Sequence, residues 1–401
     1  MKNLILLGKA GRTSAAYRRR YYYLYDAFLT DRAAGTVNTS LAEPVGGART
    51  VTDANGKLTI SGGQLNFITG GVANDWIYWN SAAFAHTAGR AFIVSMGARI
   101  AGTSLNLGFD FNTVATTIRN GFTVGQTTLA YTTGAVAISL MAITNTALSL
   151  AIIPRATAGF WYLAKGGGLA NWTLQNFSII DAATLNIPEI QRANITAGFD
   201  VSVAKIPKRP YFVRPYTSDA FTATTTDGNG HPEGGATSGL AYTAVGTWGV
   251  SGGVCSCSAL SGGLGFRYLP TSSPDVILSC DLTRTAGVGG IVARYVDAQN
   301  YLIAYHDGTN LKLDQVVAGT TTNLFSIART YAAGGFIRLT LRGTTAIVGY
   351  NGVASISAGV TVPASTSVNH GLYTTDTGNT FDNFQVWPTG TEGQYEGISG
   401  L

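Results

Sequence analysis

Charge is scarce in this chain, with only 12% of its 401 residues being Asp, Glu, Lys or Arg. Surface helices normally carry many such residues on their outer side, so the scarcity argues against a helical protein. Glutamate is scarcer still: Glu43, Glu189, Glu233, Glu392 and Glu396 are all there are. A sugar hydrolase of the paired-carboxylate kind needs two acids flanking its substrate. These five glutamates read as lying in loops, a connector or a tail, so no enzyme is expected and no catalytic residue is assigned. The four histidines, His86, His231, His306 and His370, lack metal-ligand spacing, and no Ser or Cys nucleophile has an evident base. Three cysteines, Cys255, Cys257 and Cys280, leave one unpaired in any pairing, and Cys-Ser-Cys is a poor seed for structural zinc. Reduced, buried thiols are expected, with a disulfide from Cys280 to one of the others as the alternative. Long apolar runs are missing too. Leu4 to Leu7 is cut short by Lys9 and Arg12, whereas a signal-peptide core needs about 7–15 apolar residues and a membrane span about 20. No secretion signal is assigned from this run, and no membrane partner is expected.

What charge there is falls unevenly. Lys2, Lys9, Arg12, Arg18, Arg19 and Arg20 all precede the first acid, Asp26, and account for the net charge of +5 while the rest stays nearly neutral. Nucleic acid is not an expected partner, because so few charges give only modest, salt-sensitive affinity. Tyr17, Arg18, Arg19, Arg20, Tyr21, Tyr22, Tyr23 and Tyr25 instead read as a partner-docking arm, Tyr and Arg being enriched at interface hot spots.

Glycine is abundant, at 51 residues, and Thr, Ser, Ala and Val fill most of the remainder. This composition favours short strands and tight turns, and an all-β protein is expected. Asn55-Gly56, Gly62-Gly63, Asp307-Gly308 and Asn351-Gly352 mark turns, the Asp-Gly and Asn-Gly pairs suiting tight hairpins. Gly134 to Met141 could be a helix by composition but reads as strand. Along residues 336–342, Ile337, Leu339 and Leu341 alternate with Arg338, Thr340 and Arg342, which predicts a sheet with one buried and one wet face.

The plan is stated twice. Asp26-Ala-Phe28 recurs as Asp219-Ala-Phe221, and Thr380 to Trp387 has a weaker echo in Trp172 to Ile180, with Asn383-Phe384 set over Asn176-Phe177. The expected organisation is two tandem antiparallel jelly-roll sandwiches behind an extended N-terminal arm. The arm is residues 1–25, the first sandwich 26–186, a Pro-rich basic connector 187–216, the second sandwich 217–388 and a C-terminal tail 389–401.

The order of features in the second copy carries a resemblance. Asp219-Ala-Phe221, Trp248 to Gly253, Val292-Ala-Arg-Tyr295 with Asn300-Tyr-Leu302, Gly371-Leu372 and Phe381-Asp-Asn-Phe384 resemble the laminin-G-like, concanavalin A-like jelly-roll family over nearly the whole domain. In the first copy, Leu148 to Ile153 with Gly159 to Gly167 and Asn171 to Leu174 resembles jelly-roll modules of bacteriophage tail and other virion proteins. The resemblance implies a non-enzymatic structural protein of a phage particle, a capsid decoration or tail-associated adhesion component. Its partners would be other virion proteins in a multicopy or homo-oligomeric assembly, and its location the virion, assembled in the host cytoplasm. The alternative is a lectin-like protein that binds a cell-surface glycan, with Trp76, Trp79, Trp161 and Trp172 available to stack on sugar rings. No cofactor is expected. Laminin-G-like domains use loop acids for calcium, and Asp227, Asp297, Asp307 and Asp376 are available here without matching a motif.

Overall fold

The computed structural model describes residues 18–19, 21–70, 75–79, 82, 90–99, 104–111, 120–133, 136–154, 160–177, 186–192, 199–208, 212–213, 217–222, 241–271, 273–351, 353–354, 360–388 and 395–396. The chain forms two compact units, one of Met1–Phe212 with Tyr395–Leu401 and one of Val213–Gln394. Each is an antiparallel sandwich of one nine-stranded and one seven-stranded sheet.

In the first unit the nine-stranded sheet runs Leu169–Phe177, Phe160–Gly166, Leu148–Pro154, Phe92–Met96, Phe199–Pro207, Tyr22–Asp26, Pro44–Val45, and the hairpin Leu58–Ser61/Gln64–Phe67 also joins Phe199–Pro207. Its partner sheet runs Val136–Ala142, Thr128–Thr133, Asn120–Gly125, Ser104–Phe111, Asn186–Arg192, Trp76–Tyr78, Thr50–Thr52. Val136–Ala142 is thus a strand, as expected.

The second unit repeats this order. Thr247–Ser251, Val254–Ala259, Thr380–Pro388, Val276–Thr283, Gly335–Arg342, Thr345–Tyr350 and Val353–Ala354 form its larger sheet, with Thr217–Asp219 on Thr380–Pro388 and Val360–Thr361 on Thr345–Tyr350. Thr243–Val245, Gly265–Pro270, Asn369–Thr374, Gly289–Asp297, Asn300–His306, Asn310–Val317 and Thr320–Ala328 form the other. Trp248, Leu278, Ile291, Leu302, Leu339, Leu341, Phe381 and Phe384 belong to one buried cluster drawn from both sheets.

Register shows which strands correspond. In the second unit Thr380–Pro388 takes the opening strand at Asp219↔Phe384 and the Gly252-Gly253 hairpin at Cys255↔Phe381. In the first, Phe199–Pro207 takes the opening strand at Asp26↔Ala204 and the Gly62-Gly63 hairpin at Leu65↔Val201. The closing strand of the first unit is therefore Phe199–Pro207. Leu169–Phe177, which carries the Asn176-Phe177 part of the Trp172 to Ile180 echo of the second closing strand, is an edge strand paired with Phe160–Gly166. The expected connector 187–216 is corrected with it, since Asn186–Arg192 and Phe199–Pro207 are both sheet interior. Pro188 and Pro207 lie within these strands.

The repeated Asp-Ala-Phe has a physical reason. Asp26 Oδ1 accepts the Phe28 amide at 3.2 Å and Asp219 Oδ1 the Phe221 amide at 3.0 Å. Both phenylalanines take a left-handed backbone, φ 52° and 51°, a conformation rare for bulky residues that the aspartate turn holds in place. Each carboxylate is buried and carries a partner 23 residues on. Arg49 forks onto Asp26 at 2.7 Å with Trp79 Nε1 adding a bond at 3.0 Å, and Tyr242 Oη donates to Asp219 at 3.0 Å.

One expectation about faces is corrected. Ile337, Leu339 and Leu341 do belong to the core, but Arg338 and Thr340 opposite them are only 2% and 3% exposed. The same outer face holds Ser279, also buried, so the centre of this sheet is shielded on both sides.

Candidate functional site

In the first unit, the side of the seven-stranded sheet facing away from the core brings together residues far apart in sequence. Ile77, Ile190, Phe122 and Val124 are buried in the core, so their neighbours along each strand point outward. Trp76 pairs with Gln191, Gln191 with Asn106 and Asn106 with Thr123, one row across four strands. The next row is Tyr78, Glu189, Gly108 and Gly121. The first row is tied together: Thr123 Oγ1 donates to Asn106 Oδ1 at 2.8 Å, and Asn106 Nδ2 to Gln191 Oε1 at 3.5 Å. Trp76, Tyr78, Asn106 and Thr123 are half-buried, while Glu189 and Gln191 between them are shielded from solvent.

Two aromatic rings one above the other on a short strand, beside a row of amides and a hydroxyl, form a surface that stacks on a flat ligand and hydrogen-bonds its edges. The Trp76 indole Nε1 is buried with no hydrogen bond among the described residues, and native structures rarely leave such a donor idle.

The corresponding face of the second unit is built differently. Phe266, Tyr295, Tyr301, Tyr305 and Tyr373 form their own buried cluster with Val292, Ile303 and Val316. Phe266 lies 4.9, 5.0 and 5.2 Å from the rings of Tyr295, Tyr301 and Tyr373. Gly290 lies between Tyr373 and Tyr305 in the row, where a Cβ would come within 2.8 Å of the Tyr305 Cβ. Tyr305 Oη donates to Asp314 at 2.6 Å, and Asn323 caps the other carboxylate oxygen. Burial and this bond push the Tyr305 hydroxyl far above its ordinary range. The rings are packed shut, each no more than 7% exposed, and act as a second core. At one end, Tyr301, Leu302, Gln315 and Val316 line a pocket of about 130 Å³ with exposed Val296 and Val317 at its lip.

The other expected residues are scattered. Trp79 is wholly buried and spends its indole on Asp26, Trp161 is 7% exposed, and the side chain of Trp172 lies outside the described residues. Glu189, expected in the connector, is a strand residue on the candidate face. Tyr22, Tyr23 and Tyr25 belong to the opening strand paired with Phe199–Pro207. Arg18 stacks on the Tyr25 ring at 3.9 Å, Arg90 on Tyr23 at 4.4 Å, and Lys208 Nζ donates to the Arg19 carbonyl at 3.0 Å. Tyr21 and Tyr23 stay 42% exposed, while Tyr17 and Arg20 lie outside the described residues.

Among the loop acids, Asp297 accepts from Gln299 and Asn300, Asp307 from Thr309, Asn310 and Lys312, and Asp376 from Gly378 and Thr285. Asp227 lies outside the described residues, among which no three metal-ligating side chains gather. Cys255, Cys257 and Cys280 are free and buried. No helix among the described residues is long and apolar enough to cross a membrane.

No family model matches the chain, and no curated protein does. Among solved structures it is similar to a carbohydrate-binding module from Bacillus subtilis, at 16% identity over 36% of this chain and 94% of that one, TM-score 0.29. A xylan β-1,4-xylosidase from Bacillus halodurans gives 10% identity over 89% and 88%, TM-score 0.30. Domains LG4–5 of the mouse laminin α1 chain give 9% over 82% and 92%, TM-score 0.22. These likenesses are loose, and the sandwich fold rests on the sheet order above.

Proposed function

We propose that the protein is a non-enzymatic glycan-binding protein whose first sandwich holds a saccharide on the outer face of its seven-stranded sheet. The observation that carries this reading is the half-buried Trp76–Tyr78 pair beside the Gln191–Asn106–Thr123 row. The rings would stack on the apolar face of a sugar while the Asn106 amide and Thr123 hydroxyl bond its hydroxyls. Glu189 lies shielded between glycines and Tyr78, a poor place for one member of a catalytic pair that must straddle a scissile bond. A glycan array probed with the wild type and with Trp76→Ala tests the reading. Saturable binding lost in the variant is expected, and binding indifferent to Trp76, or turnover of any bound polysaccharide, would overturn it.

A virion role is the second reading, favoured by exposed Tyr21 and by Tyr23 of the opening strand, also exposed, with the cations Arg90 and Lys208 over the Tyr23 ring. Tyrosine and arginine at such a patch suit docking onto other copies or another coat protein. Mass spectrometry of purified phage particles would find this chain in many copies if that reading holds, and its absence there would end it.

A further inference from the structure

The larger sheet of the first unit carries a separate feature on its outward side. Ser95, Ser149 and Lys165 stand in register across Phe92–Met96, Leu148–Pro154 and Phe160–Gly166, while Val94, Leu150 and Ala164 between them are buried. Beside this row, Lys205 of the closing strand pairs with Ile93. These residues and Ser202 line a cavity of about 370 Å³, a size within the roughly 300–1,000 Å³ of small-molecule sites. The Ser95 and Ser149 hydroxyls lie 2.8 Å apart. One donates to the other, so the second has its proton left for something in the cavity.

The electrostatics of this cavity run one way. Burial lowers the Lys205 ammonium to about 8, and the nearby Arg18 guanidinium adds to the effect. Neither Lys205 nor Lys165 has a carboxylate partner among the described residues. A cation drawn out of water beside another cation is a standing cost unless an anion joins them. The lining mixes those cations with serine hydroxyls and the aliphatic side of Ile93.

We propose that this cavity binds a small organic anion, a carboxylate on a polyhydroxylated body of the sugar-acid class. Lys205 and Lys165 receive the carboxylate, Ser95, Ser149 and Ser202 meet the hydroxyls, and Ile93 packs on the carbon skeleton. The site lies on a different sheet from Trp76 and is independent of the glycan face.

Calorimetric titration of the full chain with sodium glucuronate, with glucose and with sodium sulfate at matched ionic strength tests it. Glucuronate should bind at one site per chain, and glucose and sulfate each about tenfold or more weaker, the scale of losing hydrogen bonds to a charged group. Lys205→Met should weaken glucuronate by a similar factor, Lys205→Arg should keep most of the affinity, and Trp76→Ala should leave it unchanged. Because Lys205→Met removes an uncompensated cation, it should melt no lower than the wild type. The proposal fails if glucuronate does not bind, if glucose or sulfate binds as tightly, or if Lys205→Met binds like the wild type. A melt several degrees lower for that variant also overturns it, since the lysine would then be compensated within the fold.

Discussion

Lowering the pH from 7 to 4 should destabilise the second unit, and the His370 imidazole supplies a separable part of the loss. His370 is fully buried in Asn369–Thr374. Its Nε2–H faces the Ser273 carbonyl at 3.1 Å, and its Nδ1 accepts the Arg294 amide at 3.3 Å. The neutral ring is satisfied at both nitrogens. An imidazolium would set a second N–H against the Arg294 amide and a charge near the Arg294 guanidinium. Burial, opposed by the Ser273 bond and aided by Arg294, holds the group down to about 4 from an ordinary 6.5. With the folded value below the unfolded one, the unfolded chain takes up the proton first. The contribution is therefore complete above about pH 6.5, declines as pH falls, and is gone near pH 4. The displacement corresponds to about 3 kcal/mol. Calorimetric melts of the full chain and of His370→Asn at pH 7, 5.5 and 4 isolate the effect, because the carboxylate contributions and that of His306, which burial also lowers, are common to both. In the transition that the substitution moves, the wild type should lose about 3 kcal/mol more than the variant across this interval. Equal losses would refute the reasoning.

Other consequences follow from the packing. Asp26→Ala strands the buried Arg49 fork and the Trp79 indole and should cost the first unit about 3–5 kcal/mol in chemical denaturation; a loss below 1 kcal/mol would show that Arg49 finds other partners. Deleting residues 1–25 removes the strand paired with Phe199–Pro207, so the first unit's melting transition should vanish while that of the second persists; two intact transitions would contradict the pairing. Burial pushes the Cys255 thiol up to about 11 and raises Cys257 and Cys280. A thiol reagent at pH 8 should therefore find no reactive cysteine in the native protein and three after unfolding, and a fast native reaction would show an accessible thiol.

The duplication was legible in the repeated Asp-Ala-Phe, because its left-handed phenylalanine is held by an aspartate turn that few other residue types could supply. The first closing strand was not. A bulge between Val201 and Val203 breaks its alternation, and Pro207 with its basic flank imitates a linker. The Asn-Phe echo in Leu169–Phe177 drew the match to an edge strand instead. The glycan face was half legible. Tryptophan pointed to Trp76, but Trp79, three residues on, looks the same in sequence and is a core residue bonded to Asp26. Gln191, Asn106 and Thr123 carry no signal of their own, since only the strand order sets them beside Trp76. Glu189 is hidden in sequence because Pro188 makes its strand, Asn186–Arg192, read as part of a connector.

The most direct test of the glycan face is isothermal titration of wild type, Trp76→Ala and Tyr78→Ala with the best ligand from the array. If the face binds sugar through these rings, each variant should lose about tenfold or more in affinity, about 1.4 kcal/mol, with melting unchanged. Wild-type affinity in both variants would place any binding elsewhere and contradict the account.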